Sequence, residues 1–293
     1  MKVRMPKIDY SKVRPHWAPN HEFAHDRNAS STIPTYVEPY LIKVMQRAKA
    51  ALPARHAQLH QDIDWFIAQE SQHFRQHNAF NRQIREGGYP GLGYFEERLK
   101  QDYAEFLDKR PLKFNLAYSE GFESLGPPAA KLWFEHSDTI LAGADPEAVA
   151  LWKWHMAEEF EHRDVCYRLF RALYAQSLWQ RFWNGWLYRL YGFFCAVRHL
   201  GAYSKAVRRY LIETDRATMT PVELARSHRN LKAVAALTRR SMLPALLQVL
   251  SPFYDPARKP PPRGLEGYLT RFEKGGDMGL GAAARPATPR ATP

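Results

Sequence analysis

The residues best equipped for chemistry lie in 152–167, WKWHMAEEFEHRDVCY. Here His155, Glu159 and His162 stand at i−4, i and i+3. At about 100° per helical residue, the imidazoles fall roughly 40° and 60° to either side of Glu159. One helix would therefore aim two nitrogens and a carboxylate at a single point. A second stretch, QESQHFRQH, offers Glu70, His73 and His77. They share a helical stripe with Ile63, Phe66, Ile67, Phe74 and Phe80, where polar groups are costly unless they are paired or bind metal. Two Glu-x-x-His helices point to a two-metal site in a helical bundle, with a Glu from each of the other two helices.

The elements that must position these residues can be read in order. A helix begins near Thr35, with Val37, Tyr40, Leu41, Val44 and Met45 as its apolar face. Glu38 sits at its start, because Pro39 suits a first turn. It can be a ligand or can simply complement the helix N-terminus. The second helix covers about 58–86 and stops at Gly87-Gly88. A helical segment, 94–110, precedes Pro111, and the third bundle helix follows to about Ser124. Its ligand is read as Glu120, because Leu116 and Ala117 place apolar neighbours one turn before it; Glu123 stays open as the alternative. Asp145 caps the fourth helix, 146 to about 174. The order is Glu, Glu-x-x-His, Glu, Glu-x-x-His.

The expected architecture is all-α, a four-helix bundle with additional C-terminal helices. Residues 1–33 lack a helical period and read as an extended arm over the bundle, with His16, His21 and His25 as surface or hydrogen-bonded residues. Residues 34–256 form the helical domain. Residues 257–293, rich in Pro, Gly and Ala, read as a disordered tail. Within the domain, 177–200 is crowded with Trp, Phe and Tyr but interrupted by Arg181, Asn184, Arg189 and Gly192. Its uncharged run is too short to span a bilayer. It either roofs the bundle and lines an apolar tunnel or lies at a membrane interface.

Composition sets outer limits. The 293 residues are 45% hydrophobic and 13% aromatic, enough for a sizeable core. Cys166 and Cys195 are too few for a disulfide framework, so a reducing, cytoplasmic setting is expected. The net charge of +12 comes without a compact basic block or recognition motif. Specific nucleic-acid binding is therefore not expected, while contact with the inner face of a membrane stays open. The N-terminus has no secretory signal pattern.

WKWHMAEEFEHRDVCY, with QESQH and AYSEGF upstream, resembles the family of predicted metal-dependent hydrolases over about 34–256. The ligand pattern is also similar to the p-aminobenzoate N-oxygenase group of ferritin-like di-iron enzymes, which adds a His four residues before the second Glu-x-x-His. That resemblance implies Glu38, Glu70, His73, Glu120, His155, Glu159 and His162 as metal ligands. His77 has no assigned role in it and would be a supporting residue or an alternative ligand. The cofactor implied is two metal ions, iron by preference, with manganese or a mixed Mn/Fe pair as options. The activity expected is dioxygen-dependent oxidation of a small apolar or amine substrate. A two-metal hydrolase and a non-enzymatic metal-binding protein are the alternatives. Glu158 and Glu161 point away from Glu159's face and read as solvent-facing or supporting groups.

Overall fold

Asn20 Oδ1 accepts from the Phe23 amide at 2.9 Å and starts α1 (His21–Ser31), the first helix of an all-α chain whose computed structural model describes residues 1–276. α2 (Pro34–Ala51) and α3 (Ala57–Glu86) follow, the latter ending at Gly87. Pro111 separates α4 (Leu92–Lys109) from α5 (Leu112–Glu123). Two short helices, α6 (Gly126–Lys131) and α7 (Asp138–Leu141), flank a π-helical turn and lead to α8 (Pro146–His162). Asp145 caps α8 through the amides of Glu147 and Ala148, as its position before Pro146 suggests.

α9 (Val165–Tyr174), α10 (Leu178–Phe182), a π-helical turn at Trp183–Tyr188, α11 (Arg189–Arg216), α12 (Pro221–Val249) and α13 (Leu265–Gly276) complete the described chain. No described helix is long and apolar enough to cross a membrane.

Four pieces close into a bundle. α2 packs against α3 and α5, α3 against α8 and α9, and α5 against α9. The apolar core forms two clusters. Phe80 and Ile84 of α3 belong with Leu151, Trp154 and Ala157 of α8 in one. Ile63 and Phe66 of α3 join Val165 and Leu169 of α9 in the other. On α3, Glu70, His73 and His77 fall between the residues of the two clusters; on α8, His155 and Glu159 alternate with first-cluster residues and His162 follows the last of them, Phe160.

α11 covers the outer face of α5 at backbone contact distance. A Cβ on Gly121 would meet Phe193 Cα at 2.6 Å, and one on Gly192 would meet the Ala117 carbonyl at 2.4 Å. These two glycines permit the approach.

The expected boundaries shift in four places. Residues 1–33 are not wholly extended, because α1 lies within them. Its buried residues include Glu22, His25, Asp26 and Asn28, so no apolar period shows in the sequence. Pro39 lies in the second turn of α2, so Glu38 sits deeper than a helix start. The single long fourth helix breaks after His162. Lastly, the stretch expected to begin the tail carries α13, whose Leu265 and Leu269 are buried in the first cluster. The expected tail beyond residue 276 lies outside the described residues.

A candidate two-metal centre

α2 brings in Glu38, α3 brings Glu70 and His73, α5 brings Glu123, and α8 brings His155, Glu159 and His162. Their ligand atoms form two buried quartets. One is Glu38, His73, His155 and Glu159; the other is Glu70, Glu123, Glu159 and His162. Glu159 belongs to both. Its Oε1 lies 2.9 Å from His155 Nε2, 3.6 Å from His162 Nε2 and 3.8 Å from His73 Nδ1. His155 Nε2 is 3.4 Å from Glu38 Oε1, while His162 Nε2 is 3.1 Å from Glu70 Oε1 and 3.4 Å from Glu123 Oε2.

The donors are unsatisfied. Both carboxylate oxygens of Glu38, Glu70 and Glu123 lack a hydrogen-bond partner, as do His73 Nδ1 and His162 Nε2. Burial first, then neighbouring carboxylates, push Glu38 and Glu70 well above the ordinary Glu range and Glu123 up to about 7. Against burial, His162 and His155 hold Glu159 well below that range. Such a set of carboxylates is expensive to bury without cations, and the residues fit bound metal ions. The donors are carboxylate and imidazole, with no thiolate among them. Cys166 is fully buried against Met45 Sδ at 3.6 Å, and burial pushes its thiol up. It is a core residue.

Each imidazole in the quartets is held by its other nitrogen. His73 Nε2 lies 3.0 Å from Glu158 Oε2, leaving Nδ1 toward the quartet. His162 Nδ1 lies 3.0 Å from Gln69 Oε1, leaving Nε2. His155 Nδ1 lies 2.6 Å from His77 Nε2. The proton positions along this last path follow from Asn81. Its amide donates to the Ser31 carbonyl and Thr35 Oγ1, so its Oδ1 accepts from Ser31 Oγ. Ser31 Oγ then accepts from His77 Nδ1 at 2.7 Å, and His77 Nε2 accepts from His155 Nδ1. The His155 Nε2 lone pair is left for an ion. Such outer partners fix ring orientation and tautomer in metal sites. His77 is thus a support for His155.

Glu158 and Glu161 are supports as well, with Arg4 as the residue the sequence did not reveal. Arg4 Nη1 donates to Glu158 Oε1 at 3.1 Å and to Glu161 Oε2 at 2.7 Å. The N-terminal segment therefore reaches His73 through Glu158.

Glu120, expected as a ligand, is in neither quartet; Glu123 stands with the ligand atoms instead. Glu120 Oε1 faces Ser124 Oγ at 3.1 Å and Arg189 Nη1 at 3.4 Å, and Arg189 is 1% exposed. α5 is buried on nearly every side because α11 covers its back, so apolar neighbours could not say which face meets the bundle. The signal that could have separated the two was Arg189, an isolated cation in an apolar stretch that needs an acidic partner.

A third cluster differs in kind. His16 and His25 Nε2 lie 2.7 and 2.8 Å from Asp215 Oδ2, with the Tyr89 hydroxyl donating to Oδ1. Each of these atoms has a hydrogen-bond partner, and the arrangement ties the N-terminal segment to α11. His21 stacks on His16 at 4.3 Å.

Beside the centre, Gly126 leaves one side of Glu159 open; a Cβ there would lie 2.9 Å from Oε2. A cavity of about 210 Å³ reaches this point, walled by Phe122, Leu125, Leu132, Trp133 and Met156, with Arg27, Ser30 and Thr238 as polar groups.

Neither the curated proteins nor the solved structures give a match to this chain. The two quartets are carried by residues inside 2–259, the span matched by the family described as predicted metal-dependent hydrolase, and the chain belongs to that family.

Proposed function

We propose that this chain is a two-metal enzyme in which Glu159 would help to hold both ions and the reaction would take place beside Gly126. The observation that carries this is the membership of Glu159 in both quartets. Glu38, His73 and His155 would complete one ion's ligands, and Glu70, Glu123 and His162 the other's. When bound, such a pair would lower the pKa of a coordinated water and polarise a carbonyl or phosphoryl oxygen, or bind dioxygen.

Metal-dependent hydrolysis is the first reading, in line with the family description. The cavity would take a small substrate, and its aromatic and aliphatic wall would exclude bulk water. Arg27 supplies a cation at that wall. Its Nε is 3.1 Å from Asp26 Oδ2, and Asp26 also accepts from Arg208 at 2.6 Å. Two guanidiniums share one carboxylate, which leaves positive charge for an anionic end of the substrate.

Dioxygen-dependent oxidation of an apolar or amine substrate is the second reading, and one observation favours it. The residues around the cavity offer no acid or imidazole outside the ligand set to protonate a leaving group. Iron or manganese in the quartets would serve this reading.

The experiment is turnover by metal-analysed protein, with and without oxygen. Ester or phosphoester cleavage under nitrogen supports hydrolysis. Oxygen uptake coupled to loss of an apolar amine supports oxidation. Fully loaded protein that does neither would be a metal-binding protein without this chemistry.

A further inference from the structure

The aromatic stretch only partly covers the bundle. Leu178 is 82% exposed and Trp179 71%, and Phe182, Trp183, Tyr191 and Phe194 are exposed as well. The rings cluster: Trp179 to Trp183 is 5.4 Å between centroids and Phe182 to Trp183 is 5.1 Å. A contiguous exposed apolar patch of this kind marks a docking surface, whereas scattered exposed residues do not.

Charge indicates what docks. From 165 to 212 the chain contains no Asp or Glu but eight Lys or Arg, and 224–254 is equally free of acid. Cations also border the rings themselves. Lys113 Nζ lies 4.2 Å from the Tyr188 ring and donates to Asn184 Oδ1 at 2.7 Å. Arg110 lies 5.1 Å from the Phe114 ring, which contacts Tyr191. Arg181, between Trp179 and Trp183, is exposed. Exposed Trp, Phe and Leu flanked by Arg and Lys, on helices that cannot span a bilayer, match an interfacial element on an anionic lipid surface.

We infer that α10, the π turn after it and the start of α11 dock this protein on the surface of an anionic membrane. The aromatic rings would enter the headgroup boundary, with Arg110, Lys113, Arg181 and Arg198 facing lipid phosphates. This inference does not depend on the reaction at the metal centre.

The test is co-sedimentation of the full chain with phosphatidylcholine vesicles, with and without phosphatidylserine. Binding should require phosphatidylserine, fall as salt rises, and shift tryptophan emission to the blue. Arg181→Glu should weaken it, roughly fivefold for each charge removed from the lipid face. Trp179→Ser and Trp183→Ser, both exposed, should weaken it at least tenfold while keeping helicity and metal content. Absence of binding to either vesicle, or binding indifferent to these substitutions, overturns the inference. So does a concentration-dependent dimer that Trp179→Ser dissolves while vesicles are ignored, because the patch would then be a self-interface.

Discussion

His77 Nε2 lies 2.6 Å from His155 Nδ1, and that contact decides which nitrogen of His155 is free for a metal. A ring left without its outer partner rotates and loses basicity. His77→Ala should therefore weaken metal binding about tenfold to hundredfold, measured by titration against a competing chelator. Ser31→Ala should act in the same direction and less strongly, since it removes only the partner of His77. Unchanged affinity in both would mean that His155 is oriented by other contacts.

Two glutamates one helical turn apart on α5 should behave in opposite ways. Glu123→Gln replaces a carboxylate of the second quartet and should lower metal content. Glu120→Gln should keep the metal but leave Arg189 as a buried charge without its carboxylate, at a cost of about 3–5 kcal/mol. Metal analysis and thermal melting on the same samples separate the two. Loss of metal in Glu120→Gln with retention in Glu123→Gln would restore the assignment made from sequence alone.

That pair also shows what the sequence could and could not say. The convergence of Glu70, His73, His155, Glu159 and His162 was legible because helical spacing fixes their mutual direction within one element. Glu38 was legible as an acid near an apolar face. The placement of Glu123, and not Glu120, beside the other donor atoms depends on α11 burying the far side of α5, a tertiary contact that leaves no local period. Arg4 was hidden for a related reason, since its partner lies more than 150 residues away. α1 escaped notice because its buried face is largely polar.

The contact between α5 and α11 leaves no room for a methyl group. Gly121→Ala would bring its Cβ within 2.6 Å of backbone at Phe193, and Gly192→Ala within 2.4 Å of backbone at Ala117. Each should destabilise the protein by about 1–3 kcal/mol or more, because backbone cannot rotate away. Thermal melts check this, and a melting temperature unchanged in both variants would contradict the close packing.

Asp215 should make stability depend on acid pH. Against partial burial, hydrogen bonds from His16, His25 and Tyr89 hold its carboxyl far below the ordinary value. A lowered pKa stabilises the folded state fully above the unfolded value, near 4, and the contribution is lost as pH falls below that toward the folded value. Asp215→Asn should thus cost about 1–3 kcal/mol at neutral pH. The gap from the parent protein should narrow as pH drops below about 4. A gap that stays constant across that window would show that the carboxylate charge is not what the histidines hold.

The central claim is that Glu159 joins two ions, and metal counting tests it most directly. Elemental analysis of protein loaded with iron or manganese should give two ions per chain. Glu159→Ala should lose both, and Glu38→Ala mainly the one shared by His73 and His155. A parent protein that saturates at one ion or none, or a Glu159→Ala variant that keeps two, would contradict the account.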